Sequence, residues 1–200
     1  MPQLWIVAGP NGAGKTTIAD RWIAPRIPVI SPDNISGTQR PSPIQSGKIA
    51  IRKQERFLSQ KVSFAIDTTF SGNRKIDLMK RAGAAGYKVN LIFICVSNPG
   101  ICQARIEERV ESGGHSVPPK DVIRRFDRSL ANLTLAFDLT DRVFILDNTG
   151  EKRRLILSLE GGRIKHLSSN IPGWAQQAIP AKFCCPSIPD PETQSDPKTF

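Results

Sequence analysis

One short segment near the amino terminus constrains the fold more than any other feature of the chain. Residues 9–16 read Gly-Pro-Asn-Gly-Ala-Gly-Lys-Thr, which fits G-x-x-x-x-G-K-[ST], and they follow an apolar run at residues 4–8 that predicts a buried strand. The glycines allow the backbone to curl around a phosphate, and a helix beginning near Lys15 directs its positive end at the same anion. The segment therefore predicts a phosphate-binding loop between a strand and a helix.

A nucleoside triphosphate with Mg²⁺ is the ligand that this loop predicts. Lys15 should reach the β- and γ-phosphates, and the Thr16 hydroxyl should bind the metal ion. A dinucleotide-type G-x-G-x-x-G is excluded, because residues 12–17 lack its third glycine. The remaining alternative is a glycine-rich turn that merely caps a helix. The residues expected to bind ATP are Gly9, Pro10, Asn11, Gly12, Ala13, Gly14, Lys15, Thr16 and Thr17.

Length and composition fit one compact α/β domain in the cytoplasm. The chain has 200 residues and 39% hydrophobic residues, enough for a core without metal or disulfide crosslinks. The longest apolar run, residues 89–96, has the length of a strand and not of a membrane helix. The four cysteines lack metal-site spacing, and no charged leader precedes an apolar segment. We expect free thiols in a reducing compartment.

The net charge of +10 suits two kinds of partner. A nucleic-acid-binding protein would be basic, and so would an enzyme that holds a triphosphate and a second anion in one cleft. Lysine and arginine are scattered, without interleaved aromatic residues that could stack single-stranded bases. The charge distribution therefore favours a small anionic ligand over nucleic acid.

Predicted strands alternate with predicted helices along most of the chain, which indicates crossover units and a parallel sheet. The strands are expected at residues 3–8, 28–31, 64–67, 88–96 and 142–147, and the helices at 15–24, 44–60, 71–85, 99–112 and 119–136. Residues 152–166 predict a hairpin over Gly161 and Gly162. Together these elements and the phosphate loop predict a three-layer P-loop domain over residues 1–170, with a mostly parallel central sheet. Prolines, charges and small polar residues predict a disordered tail at residues 181–200.

Polar residues follow two of the predicted strands, where ligands of such sheets bind. Asp33 follows the second strand, and Asp67, Thr68 and Thr69 end the third. A carboxylate near the γ-phosphate can accept the proton of an attacking hydroxyl or hold metal-bound water. The alternatives are a turn or helix-capping role for Asp33 and a local strand-end hydrogen bond for Asp67.

Arginines on the two helices that follow are candidates for stabilising a transferring phosphate. Arg109 lies at the edge of the apolar stripe of its helix, where an anionic partner is expected, while Arg124, Arg125 and Arg128 share the polar face of the next helix. Between the helices, residues 113–120 have the composition of a mobile lid that could bring guanidinium groups onto the phosphate. His115 in this segment is interpreted as a surface residue.

Four segments together resemble the small chromosomal members of the zeta toxin family over residues 3 to about 150. They are A-G-P-N-G-A-G-K-T-T, F-A-I-D-T-T-F-S-G, G-Y-K-V-N-L-I-F, and R-I-E-E-R-V-E-S-G-G-H-S-V-P followed by I-R-R-F-D-R-S-L-A-N-L. The resemblance implies a P-loop kinase fold and ATP-dependent phosphorylation, best known on the 3′-hydroxyl of UDP-N-acetylglucosamine. It also implies an antitoxin protein as a partner.

Carried over by motif, the resemblance assigns ATP·Mg²⁺ binding to Lys15 and Thr16 and the general base to Asp33. Asp67 with Thr69 would meet the substrate sugar, and Arg109 would be a lid arginine. The chain departs from the larger toxins in having one acid after the second strand and Asp67 in place of a glutamate. The second lid arginine falls at residues 114–116, so Arg124 or Arg125 would take its place.

The sequence therefore predicts a kinase that transfers the γ-phosphoryl group of ATP to a hydroxyl of a small, anionic acceptor, with a UDP-N-acetyl sugar as one candidate. Two other functions stay open. A polynucleotide 5′-hydroxyl kinase would also be basic, and a nucleotide switch would bind or slowly hydrolyse ATP to control a partner.

Overall fold

A computed structural model of the chain describes residues 1–32, 42–114 and 116–184. Within these ranges seven strands form one sheet in the order β2-β3-β1-β4-β5-β6-β7. The strands are β1 (Gln3–Ala8), β2 (Val29–Ile30), β3 (Phe64–Thr68), β4 (Lys88–Cys95), β5 (Arg142–Asp147), β6 (Arg154–Glu160) and β7 (Arg163–Leu167).

Helices cover both faces of this sheet and begin and end close to the predicted positions. The first begins as α1 (Lys15–Ile18) and continues as a wider π-helical turn, Ala19–Ile23. The others are α2 (Pro43–Ser59), α3 (Arg74–Ala84), α4 (Pro99–Glu111), α5 (Pro119–Ala136), α6 (Gly173–Ala178) and α7 (Ala181–Cys184).

The first five strands are all parallel, as the alternation of strands and helices predicted. β1 lies between β3 and β4, so that Val7 pairs with Asp67 and Ala8 pairs with Phe93. β4 is buried from Val89 to Cys95, which is typical of a central parallel strand covered on both faces. The carboxyl ends of β1, β3 and β4 therefore meet at one edge of the sheet, where the phosphate loop begins.

The last two strands form the predicted hairpin and extend the sheet in antiparallel fashion. Gly161 and Gly162 make the turn, with φ of 56° and 74°. Most residues avoid this left-handed region, which explains the paired glycines. The predicted fold class, a mostly parallel sheet between layers of helices, is thus confirmed.

The hydrophobic core has two parts, one on each face of the sheet. Alternating residues of β1 supply both, since Leu4, Ile6 and Ala8 pack into the larger cluster while Val7 packs into the smaller one with Ile18 of α1. This division gives the three layers that the sequence predicted.

The residues after the hairpin pack against the domain further than the sequence predicted. Residues 181–184, assigned to a disordered tail, form α7, because the Phe183 ring stacks on Phe137 with their centroids 5.5 Å apart. The rest of the predicted tail, residues 185–200, lies outside the described residues. No helix in the described part of the chain is both long and apolar enough to cross a membrane.

Candidate active site

The phosphate loop between β1 and α1 lies directly against its neighbours, which explains two of its glycines. A Cβ atom on Gly9 would lie 1.9 Å from the carbonyl oxygen of Ile94 in β4. A Cβ atom on Gly12 would lie 2.6 Å from the carbonyl oxygen of Cys102 in α4, and its φ of 75° is itself unfavourable for other residues. Backbone contact on two sides therefore sets the shape of the loop.

Asn148, the residue after β5, holds the opposite side of the loop. Its side-chain Nδ2 donates to the backbone carbonyl oxygen of Ala13 at 2.9 Å. Its backbone carbonyl oxygen accepts a hydrogen bond from Arg105 Nη2, also at 2.9 Å. Gly14 leaves room for this amide, since a Cβ atom there would lie 2.6 Å from Asn148 Nδ2. Residues from β4, α4 and the end of β5 thus fix the loop before any ligand binds.

Asp147, just before that asparagine, anchors the end of β5. Its carboxylate is 3% exposed, and it accepts from the Thr149 hydroxyl and from Arg154 Nη2 at 2.8 Å. Burial acts to raise the pKa of Asp147, but the hydrogen bonds from Thr149 and Arg154 outweigh it and hold the pKa below its usual range. The carboxylate is therefore ionised at neutral pH and serves as a fixed anchor.

The two residues predicted to bind the terminal phosphates and Mg²⁺, Lys15 and Thr16, begin helix α1, and their ligand contacts stay a prediction. Lys15 Nζ donates to the carbonyl oxygen of Pro10 at 2.8 Å, which places the ammonium group over the loop. The Thr16 hydroxyl donates to Asp67 Oδ2 at 3.3 Å, which joins the first turn of α1 to the end of β3. A hydroxyl and a carboxylate are hard oxygen ligands of the kind Mg²⁺ prefers, so these residues fit ATP·Mg²⁺.

The loop after β3 combines backbone strain with supporting hydrogen bonds. Phe70 is fully buried and has a left-handed φ of 57°. Its N–H donates to the Thr68 hydroxyl at 3.1 Å, and its carbonyl accepts from Asn132 Nδ2 of α5 at 2.8 Å. Strained residues held this way are concentrated at functional sites. The strain positions Asp67, Thr68 and Thr69, which all line the cleft.

Arg109 lines the cleft and is exposed on the last turn of α4. The two glycines that follow end the helix in a Schellman motif, because the Gly113 N–H donates to Val110 O at 2.9 Å and the Gly114 N–H donates to Arg109 O at 2.8 Å. The predicted lid thus contains a defined helix cap, and its mobility stays a prediction. His115 lies outside the described residues.

The structure separates the two candidates for the second lid arginine. Arg125 lines the cleft, and its Nη1 donates to Asn11 Oδ1 of the phosphate loop at 3.4 Å. Both arginines pair with Asp121, Arg124 at 2.6 Å and Arg125 at 3.7 Å, but Arg124 does not line the cleft, and Arg128 is exposed without lining it. The geometry therefore favours Arg125 for a role near the phosphate.

A cleft of about 910 Å³ connects these groups and extends beyond the loop to the facing surfaces of α2 and α3. Asp33 lies outside the described residues, but Ser31 and Pro32 just before it line this cleft. The sequence analysis missed Arg105 and Lys75, which also line it. Arg105 could have been found, since it lies four residues before Arg109 and shares its face of α4.

The fold and the loop define a nucleotide-binding P-loop protein of the α/β class. The chain belongs to the AAA domain family, whose model matches residues 4–133. An uncharacterized protein of Haemophilus influenzae is 33% identical over 135 residues, which cover 61% of this chain and 95% of that protein.

Two solved structures have similar folds at low sequence identity. A chain of the AvrRxo1-ORF1:ORF2 complex with ATP matches with a TM-score of 0.67 and 20% identity, over 98% of this chain and 66% of that chain. A chain of the Streptococcus pneumoniae PezAT toxin–antitoxin system matches with a TM-score of 0.64 and 16% identity, over 90% of this chain and 78% of that chain. The present chain thus spans about two thirds of its AvrRxo1 relative.

Proposed function

We propose that the protein is an ATP-dependent kinase that phosphorylates a hydroxyl of a small, anionic acceptor. The observation that carries this proposal is the continuous cleft from the phosphate loop to the surfaces of α2 and α3, with Asp67 between them. A protein that only bound ATP would not need a second, charged compartment beside the terminal phosphate. The similar AvrRxo1-ORF1:ORF2 structure contains ATP, which supports ATP as the donor.

The phosphate loop, Gly9–Thr17, binds the donor. Lys15 bridges the β- and γ-phosphates, and its charge offsets theirs. Thr16 and Asp67 would hold Mg²⁺, which neutralises phosphate charge when it is bound.

In the transfer step, the acceptor oxygen forms a bond to the γ-phosphorus while the bond from that phosphorus to the bridging oxygen of ADP breaks. Asp33 takes the proton that the hydroxyl loses. Arg109 and Arg125 neutralise the charge that develops on the phosphoryl group, and Thr69 with Asp67 orients the acceptor. No electrons are transferred, and ADP leaves as the second product.

UDP-N-acetylglucosamine is the first acceptor to test, because of the resemblance to zeta toxins. The solved relatives come from a two-protein complex and from a toxin–antitoxin system. An antitoxin is for that reason a proposed partner of this chain as well.

Mass spectrometry tests the function directly. Purified protein is incubated with ATP, Mg²⁺ and either UDP-N-acetylglucosamine or a metabolite extract, and species heavier by one phosphate are sought. The Lys15→Ala variant is the control. A new phosphorylated species that depends on Lys15 supports the proposal, and ATP turnover that no small molecule stimulates favours a nucleotide switch.

A polynucleotide 5′-hydroxyl kinase is the second candidate, favoured by the net charge of +10 and the arginines along the cleft. Transfer of labelled phosphate to an oligonucleotide with a 5′-hydroxyl would identify it. Failure of that transfer alongside a phosphorylated metabolite would exclude it.

A further inference from the structure

A lysine in the second compartment of the cleft has no anionic partner among the described residues. Lys75, in the first turn of α3, is partly buried, and its Nζ donates to Gln54 Oε1 of α2 at 3.0 Å. Gln54 is itself 5% exposed. Among the described residues this is the one hydrogen bond that Lys75 Nζ makes, and no carboxylate there forms an ion pair with it.

This arrangement is costly for a cation. An ammonium group has three N–H donors, and a neutral amide oxygen satisfies one of them. Removal from water, with a smaller contribution from the neighbouring Arg74, lowers the pKa of Lys75 to about 8. Two cations also begin α3, where the positive end of the helix disfavours them, and Asn73 provides no side-chain cap.

The other charged groups around Lys75 do not offset its charge. Glu55 of α2 is held by Arg81 of α3 through two hydrogen bonds of 2.7 and 2.8 Å. Arg74 adds positive charge next to Lys75, while Asp77 in the same turn of α3 lines the cleft and forms no ion pair with Lys75 in the described part of the chain. On the opposite side, a Cβ atom on Gly47 of α2 would meet nothing within 4 Å. Among the described residues of α2 and α3 that line this compartment, the cations Arg74, Lys75 and Arg81 outnumber the carboxylates Glu55 and Asp77 by one, and open space lies beside Gly47.

We propose that Lys75 and Arg74 bind an anionic group of the phosphoryl acceptor, a phosphate or a carboxylate, while the acceptor hydroxyl faces the phosphate loop. This inference rests on the proposed kinase function. The anion would take up the remaining donors of Lys75 and supply the negative charge that no described residue pairs with Lys75. Lys75 would then determine specificity for charged acceptors over neutral ones.

NMR titration of the unmodified protein, with ¹³C-labelled lysines observed at Cε, tests the site with inorganic phosphate as the probe. The protein is first saturated with Mg²⁺ and a non-hydrolysable ATP analogue, so that the phosphate loop is occupied. The Lys75 signal is assigned with Lys75→Arg. Phosphate should raise the pKa of Lys75 by about one unit or more, and it should not move the NMR signal of exposed Lys80 on the same helix.

Calorimetry provides the second measurement. Lys75→Met should weaken phosphate binding at least tenfold, Lys75→Arg should restore part of it, and Lys80→Met should have no effect. An unchanged Lys75 pKa with phosphate, or equal phosphate binding by Lys75→Met, would overturn the proposal. Failure to bind the ATP analogue would instead contradict the kinase function, and phosphate titration of Lys75 in the free protein would still decide the anion site.

Discussion

The two ends of the cleft are built by different means. At the donor end, backbone contacts hold the phosphate loop, with Gly9 against Ile94 and Gly12 against Cys102. At the acceptor end, side chains of α2 and α3 form the walls, with Lys75 on Gln54 and an ion pair beyond them. Backbone geometry requires particular residues at particular spacings, whereas a wall of side chains can change without altering the fold. The donor is therefore readable from a motif, and the acceptor is not.

The largest expected effect is at the donor end. Lys15→Ala should abolish phosphoryl transfer, because it removes the charge that bridges the β- and γ-phosphates. Melting temperature should stay close to that of the wild type, and turnover of ATP measures the loss. Full turnover by this variant would remove the basis for assigning the loop to ATP.

Arg109 should have the next largest effect. Arg109→Ala should slow transfer by a factor on the order of 10³. Arg109→Lys should recover only part of the activity, because lysine keeps the positive charge but lacks the planar guanidinium with its paired N–H donors. Rate and melting temperature are measured for both variants. Arg124→Ala is the matched control, because Arg124 is paired with Asp121 away from the cleft.

A pair of glycine substitutions compares the two ends directly. Gly12→Ala should weaken ATP binding about tenfold or more, because the new Cβ would lie 2.6 Å from Cys102 O and the residue has a φ of 75°. Gly47→Ala in α2 should leave ATP affinity unchanged and stabilise the helix by about 0.5–1 kcal/mol, since its Cβ would meet nothing within 4 Å. Calorimetry with ATP and thermal unfolding check both. Equal ATP affinities for the two variants would contradict a donor site fixed by backbone contact.

The smallest effect should be on stability alone. Because its pKa is lowered in the folded protein, Asp147 stabilises the fold above about pH 4, the usual pKa of an aspartate, and loses this contribution as the pH falls through the folded value. Asp147→Asn should cost about 1–3 kcal/mol at neutral pH through the weakened bonds to Thr149 and Arg154. Denaturant unfolding at pH 7 and pH 3 should show a smaller difference between wild type and variant at the lower pH.

Sequence patterns predicted the sheet well, because the apolar run of β4 and the glycines of the hairpin leave few alternatives. They did not predict α6, since a six-residue helix depends on tertiary contacts, here the packing of buried Trp174 on Phe93. They also located the phosphate loop between β1 and α1, because its glycines at fixed spacing leave few alternative backbone conformations. The pairing of Lys75 with Gln54 joins two helices and has no local signal in the sequence.

Helix α5 forms hydrogen bonds both to the phosphate loop and to the loop after β3. Arg125 reaches Asn11 of the phosphate loop, and Asn132, seven residues further along, holds the strained Phe70 behind Asp67. Seven residues of helix span about 10 Å, so a single rigid helix connects the phosphate loop with the loop after β3. If ATP binding shifts this helix and thereby changes the affinity for the proposed acceptor, thermodynamic linkage requires acceptor binding to change the affinity for ATP by the same factor. Cooperativity between the substrates would then require no lid movement, only a small tilt of a single helix.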